Sequence, residues 1–390
     1  MFTTKGLFCT DLLKNCTKKQ TQFCHIYIMH KFRFFGIFAI LKKFTFYLTK
    51  MLTSGKNQSI IEVTKIKEGI VMYYLGIDLG GTNIAAGIVD ESYNIIKKKS
   101  VPTLAQRDGK EIIKDMAKLC LSLVEDCGLT LNDIAYAGIA SPGTANSETG
   151  VIEYANNLPF VNFPIADLLK EYTGIEKVYI ENDANAAAKA EAIAGVARGA
   201  KFSIMITLGT GLGGGIVIDG KVYSGFNFAG AELGHIVIEK DGKQCTCGRR
   251  GCWETYSSAT GLTNMTKEHL LAARKEGRKT IIEDLIGGNL DNCNARVAFA
   301  AMKQGDEVGK EIVDEFISYL ACGITNIINI FQPNVLSIGG GVCGEKDHLL
   351  IPLKKAVFKE TYSRGDRQTE IKIAELGNDA GIIGAAVLGL

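Results

Sequence analysis

Residues Tyr73 to Asp90 read YYLGIDLGGTNIAAGIVD: an apolar run, a glycine turn, and a second apolar run. This pattern predicts two strands joined tightly. NIIKKKSVPT adds a third strand and makes a meander. A helix follows from about Lys110 to Cys127, with Ile112, Ile113, Met116, Leu119, Leu123 and Val124 on one face. The strand IAYAGIA runs into two turn-rich loops, SPGTAN (Ser141 to Asn146) and YANNLPF, the second holding Asn156 and Asn157. A helix near Pro164 to Tyr172, the strand KVYIEND and the Ala-rich helix ANAAAKAEAIAG complete this half. Strands alternating with helices predict an α/β fold.

The opening motif then recurs. LGGTNIAAGIVD from Leu79 and LGTGLGGGIVID from Leu208 both set Gly and Thr between apolar β-rich runs. Such a repeat, about 130 residues apart, predicts two related domains facing each other. Helices are expected at Ser257–Lys275, Lys279–Ile286, Asn294–Lys303 and Asp306–Phe331. The strand NVLSIGGG ends in a turn at Gly339 to Gly341; a strand at Ile371–Glu375 and a helix at Ala380–Leu390 close the chain.

The 390 residues allow more than one domain with a substantial core. Residues 1–71 carry 12 Lys and Arg against 3 Asp and Glu, and the remaining residues bring the total down to +2. That mildly acidic body argues against a broad nucleic-acid footprint. The first 71 residues mix Lys with aromatics, lack Pro and show no period, so they read as a disordered or mis-started extension ahead of Met72. Their longest apolar run, Phe34 to Leu41, is too short to span a bilayer, although a basic aromatic segment can lie on one. The irregularly spaced cysteines suit a reducing cytoplasm.

One stretch concentrates metal-ligating residues. GHIVIEKDGKQCTCGRRGCWE (Gly234 to Glu254) holds His235, Cys245, Cys247 and Cys252, a complete set for a closed, structural zinc site. A disulfide with a spare thiol is the alternative. Glu232 and Glu254 flank the cluster and suit a small polar ligand.

The remaining chemistry gathers at strand ends. GTGLGG matches G-x-G-x-x-G at Gly209, Gly211 and Gly214, but IVIDGKVY after it is strand-like, which excludes a dinucleotide fingerprint. Two matched turns, Gly80–Gly81–Thr82 and Gly209–Thr210–Gly211, instead suit a clamp on polyphosphate. Asp183 starts a helix. It is either the cap, which Asn182 can equally be, or a carboxylate that takes a proton from an attacking hydroxyl. Asp78 either holds Mg2+ through water or bonds its own turn. Gly339 to Gly341 either receives an adenine or ribose or is a plain turn.

The motifs DLGGT, SPG, IENDANAAA, GTGLGGG, AELGH and CTCGRRGCWE, in this order, resemble the ROK family of sugar kinases and repressors, most nearly its bacterial glucokinases. The likeness covers Met72 to Leu390. It implies a two-lobed, actin-like (ribonuclease H-like) ATPase fold closing on sugar and ATP, with Mg2+ and structural zinc. The implied division is 72–182 plus 378–390 for one lobe and 183–377 for the other. By motif, Asp183 would be the catalytic base. Gly143, Asn157, Asn182, Asp183, Glu232, His235 and Glu254 would meet the sugar. Asp78, Gly80, Gly81, Thr82, Gly209, Thr210, Gly211, Gly340 and Gly341 would serve ATP and its cation, while His235, Cys245, Cys247 and Cys252 bind zinc. The implied reaction is phosphorylation of D-glucose to glucose 6-phosphate by a cytoplasmic enzyme, with a homodimer as the family's assembly and no nucleic-acid or membrane partner. A sugar-responsive repressor, or a kinase for N-acetylglucosamine, mannose or fructose, is the alternative.

Overall fold

The computed structural model describes residues 72–363 and 365–390; the expectations for residues 1–71 lie outside them. Strand β1 (Tyr73–Leu79) pairs antiparallel with β2 (Asn83–Val89), which pairs with β3 (Ile95–Pro102). Helix α1 (Gly109–Asp126) is capped by Asp108, whose Oδ1 accepts the Lys110 N–H at 2.8 Å, and buries the six apolar side chains expected. β4 (Ile134–Ser141) returns parallel to β1.

Where loops were expected, the chain builds a small antiparallel sheet: β5 (Thr144–Asn146), β6 (Val151–Tyr154) and β7 (Val161–Phe163). Strands of three or four residues are too short to show a period of two. Helix α2 (Ile165–Thr173) stops at left-handed Gly174, and β8 (Val178–Asn182) joins β4 in parallel. The first large sheet runs β3-β2-β1-β4-β8.

After α3 (Asp183–Ile193) come β9 (Phe202–Leu208), β10 (Leu212–Ile218) and β11 (Lys221–Val222). The helix expected over Ser257–Lys275 is two helices, α4 (Glu254–Ser257) and α5 (Ala259–Glu276). Ser258 divides them by accepting the Gly261 N–H on its Oγ at 3.0 Å. Then follow α6 (Ile282–Ile286), α7 (Val297–Lys303), α8 (Glu307–Phe331) and β12 (Val335–Gly339). Helix α9 (Asp347–Glu360) goes beyond the sequence reading: Pro352 lies within it. β13 (Glu370–Ile373) and α10 (Ala380–Ala386) end the chain, the last helix four residues shorter than expected. The second sheet runs β11-β10-β9-β12-β13, the order and directions of the first. The repeat read from two glycine turns therefore extends to the whole sheet.

Two small-residue helices lie between the sheets. A Cβ on Gly76 of β1 would meet the Ile382 carbonyl oxygen at 2.0 Å, and one on Gly138 of β4 would meet that of Ala385 at 1.9 Å. So α10 rests backbone-on-strand against the first sheet. Gly384 in turn lets α10 approach the Ala186 carbonyl of α3, and α3 packs on β10 through Ala188. This close packing explains the Ala-rich and Gly-rich composition of the two helices.

Each sheet has its own apolar core. In the second, Trp253 is fully buried and its Nε1–H donates to the Tyr319 carbonyl at 3.1 Å. It lies on Gly323 of α8, where a Cβ would sit 2.0 Å from the indole. Gly323→Ala is expected to destabilise the protein by about 2 kcal/mol: the overpacking outweighs the ~1 kcal/mol of helix propensity gained. Urea unfolding followed by Trp253 fluorescence checks this. Among the described residues, no helix is long and apolar enough to cross a membrane.

Candidate active site and metal centre

The loop after β11 ends in a short 3-10 turn, Leu233–His235. Isolated bridges Val237–Cys252 and Gln244–Arg250 then fold the Cys-rich segment back on it. One ligand atom each from His235, Cys245, Cys247 and Cys252 lies within 4.8 Å of the others. His235 Nδ1 is 3.7 Å from Cys245 Sγ, and Cys247 Sγ is 3.6 Å from Cys252 Sγ. A zinc tetrahedron with bonds of about 2.3 Å to sulfur and 2.0–2.1 Å to nitrogen has edges of about 3.5–3.8 Å, so the donor set and spacing fit zinc. All three thiols are free, which removes the disulfide alternative. Arg249 Nη1 donates to the His235 carbonyl at 3.1 Å, tying the ligand's backbone to the Cys-rich hairpin.

Beside the cluster opens a cavity of about 760 Å³. Asp78 reaches it from the end of β1, Asp183 from the start of α3, and Glu232, His235 and Glu254 from the metal segment. Gly209, Gly211, Gly340 and Gly341 line it as well. Glu254 is anchored, its Oε2 accepting the Leu212 N–H at 2.8 Å. A Cβ on Gly211 would meet that oxygen at 2.2 Å, and one on Gly381 would meet Asp78 Oδ2 at 2.4 Å. Both glycines therefore leave room for a carboxylate.

Other expected residues stand outside the lining. Gly80, Gly81 and Thr82 do not border the cavity: the Gly80 carbonyl accepts the Thr103 hydroxyl (2.6 Å) and the Thr82 carbonyl the Thr103 N–H (2.8 Å). The first hairpin joins Leu79 to Ile84 and the second joins Leu208 to Leu212, one residue shorter, so the turns are not equivalent. Thr210, Gly143 and Asn157 also fall outside the lining, though Gly81 faces Asn157.

Asn182, likewise outside the lining, is the α3 cap. Its Oδ1 accepts the N–H groups of Ala184 (2.9 Å) and Asn185 (3.3 Å), and its Nδ2 donates to the Gly143 carbonyl (3.1 Å). Capping thus falls to Asn182, and Asp183 opens into the cavity, although its Oδ1 also accepts the Ala184 N–H at 2.8 Å. Sequence reasoning missed Thr207, Cys343, Ala374 and the Gly377–Gly381 turn as wall residues. The turn glycines were visible; their meeting with Asp78 depends on how α10 crosses back to β1.

Four carboxylates line this cavity, with no Lys or Arg beside them among the described residues. Partial burial raises Asp78 to about 6, helped by the charge of Asp183. Asp183 lines the cavity with its side chain open to solvent. Loss of surrounding water pushes it upward, and backbone N–H donors at Ala184 and Asp183 oppose this. Glu232 also rises by desolvation; the His235 ring opposes the rise, and Asp183 and Glu254 add to it.

A raised carboxylate binds more protons folded than unfolded. Asp78 therefore withdraws stability as pH rises from about 4 through 6. Asp78→Asn is expected to add about 1–3 kcal/mol at pH 7 in Mg2+-free buffer and nothing near pH 4. Urea midpoints at the two pH values measure it.

Two sheets of one topology, a carboxylate-lined cavity and an adjoining cluster of one His and three Cys define a two-lobed α/β fold of the actin-like ATPase class. Residues 74–390 match the sequence profile of the ROK family, and the chain belongs to that family. It is 35% identical to a glucokinase from Thermotoga maritima over 313 residues, 80% of this chain and 95% of that protein. It is 36% identical to one from Halalkalibacterium halodurans over 317 residues, 81% of this chain and 94% of that protein. A ROK glucokinase structure from Streptomyces griseus in complex with glucose and AMPPNP aligns over 81% of this chain and 98% of that one, at 32% identity and a TM-score of 0.66.

Proposed function

We propose that this protein transfers the γ-phosphoryl group of ATP to a hexose, with D-glucose the preferred acceptor and glucose 6-phosphate the product. The observation that carries the reading is a cavity that gathers Asp78, Asp183, Glu232, His235 and Glu254 around glycine-rich strand ends. Its uncompensated negative charge suits a neutral polyol and a cation-bound nucleotide, and disfavours a free polyanion. The complex of the Streptomyces griseus relative with glucose and AMPPNP supports the same pairing.

In this mechanism Asp183 accepts the proton of the attacking primary hydroxyl as its oxygen bonds to phosphorus and the bond to ADP breaks. Asp78 would be the residue to hold Mg2+, which when bound would supply neutralisation of the phosphate charge. The backbone at Gly209–Gly211 and Gly340–Gly341 receives the nucleotide. Glu232, Glu254 and the second ring nitrogen of His235 meet the sugar hydroxyls, with Asn157 and the Gly143 turn at the rim. His235 Nδ1 faces the thiols, so with Nδ1 given to zinc the ring would be held in the tautomer that presents Nε2–H. His235, Cys245, Cys247 and Cys252 would hold zinc with no position left for substrate, so the metal would orient His235 and take no part in the transfer.

Steady-state kcat/KM for glucose, N-acetylglucosamine, mannose and fructose with ATP tests the acceptor. Glucose ranks first on this account; another hexose at the head corrects the acceptor and leaves the reaction class standing.

A further inference from the structure

Glu181 lies one residue before the capping Asn182, is 4% exposed, and does not line the active-site cavity. Its two oxygens face different parts of the molecule. Oε1 accepts the Asn182 N–H at 2.9 Å and the Asn185 Nδ2–H at 3.1 Å, both in the turn that starts α3 and carries Asp183. Oε2 accepts the Ser224 hydroxyl at 3.0 Å, in the loop that leaves β11 and leads to Glu232 and His235. The Ser224 carbonyl accepts the Gly230 N–H at 2.8 Å, so that loop is closed at its base two residues before Glu232.

The arrangement leaves one polar atom unsatisfied. Asn185 must turn its amide nitrogen to the carboxylate, an acceptor-only group, and its buried Oδ1 is left without a partner. Lys189, also buried, is attracted by the Glu181 charge but does not hydrogen-bond to it; its Nζ donates to backbone oxygens of Leu388 (3.2 Å) and Leu390 (3.5 Å). Glu181 therefore directs its lone pairs at three hydrogen-bond donors, two at the Asp183 turn and one at the Glu232 loop.

We infer that Glu181 is a positioning residue. Through Ser224 it locks the loop carrying the sugar-facing residues Glu232 and His235 to the turn carrying the base Asp183. This rests on the proposed hexose kinase reading. A hexose held by Glu232 and His235 must present its hydroxyl to Asp183, and misplacement by about 1 Å can lower turnover about 100-fold.

Three variants and two substrates test it. Ser224→Ala cuts only the loop side and is expected to raise hexose KM about 5–10-fold, with ATP KM within about two-fold. Glu181→Ala cuts both sides and is expected to lower kcat about 10–100-fold as well. Glu181→Gln keeps the shape: its oxygen can accept from Asn182 and Asn185 while its amide donates to Ser224 Oγ, so it recovers most of both parameters. A purely structural role would move melting temperature and both KM values together, without rescue by Gln. Unchanged hexose KM in Ser224→Ala overturns the assignment even where Glu181→Ala fails to fold, and equal shifts in both KM values do the same. Wild type lacking hexose phosphorylation overturns the functional reading, and this inference with it.

Discussion

Replacing Asp183 by Asn is expected to lower kcat about 10²–10⁴-fold, the contribution of a positioned general base. The fold should survive, because Asn182 is the residue whose side chain caps α3. An Asn at 183 can still accept the Ala184 N–H, and it removes a carboxylate whose ionisation the cavity disfavours. Melting temperature should thus hold or rise while turnover collapses. The wild-type pH profile should carry the same signature. If Asp183 is the base it works only when ionised, and because burial raises its pKa, kcat/KM should fall on acidification at a pH higher than an unperturbed aspartate would set. Near-normal turnover in Asp183→Asn would remove Asp183 from the chemistry.

Loss of the metal should have the second-largest effect. Cys252 is fully buried, and Cys252→Ser leaves a weak ligand inside the cluster. Zinc in small finger domains supplies about 10–16 kcal/mol of folding energy; here, beside a large core, a loss of at least ~3 kcal/mol is expected. Glu254 follows Cys252 by two residues and anchors the Gly211 turn, so the damage should reach the cavity. Hexose KM should rise about 10–100-fold, as when a residue that orients a ligand is lost. Metal content, melting temperature and KM, measured on one preparation, check the three effects together. A zinc-free variant with unchanged melting temperature and hexose KM would reduce the cluster to a surface ornament.

What the sequence disclosed follows from the range of its signals. The four metal-ligating residues lie within 18 positions, from His235 to Cys252, so their geometry is largely local and spacing alone identified them. The β1–β2 and β9–β10 hairpins were equally legible, and with them the repeat that organises both sheets. Their matched sequence hid a difference in length of one residue. Thr103, 21 residues beyond Thr82, holds the first turn's carbonyls, and no local pattern announces that. The same reason hid the Gly377–Gly381 turn beside Asp78 and the bond from Ser224 to Glu181, which joins residues 43 positions apart. Competition for the α3 cap was visible, but its outcome depended on the Gly143 carbonyl waiting for the Asn182 amide. Helix α9 was obscured locally, by Pro352 in its interior.

The most direct test of the account is product identification. Purified protein, glucose, ATP and Mg2+ are incubated together and the mixture is followed by phosphorus NMR. The account predicts ADP and glucose 6-phosphate in equal amounts, with neither formed by Asp183→Asn at a comparable rate. No phosphosugar from glucose or from any of the other three hexoses, with a folded and zinc-loaded wild-type protein, would contradict it.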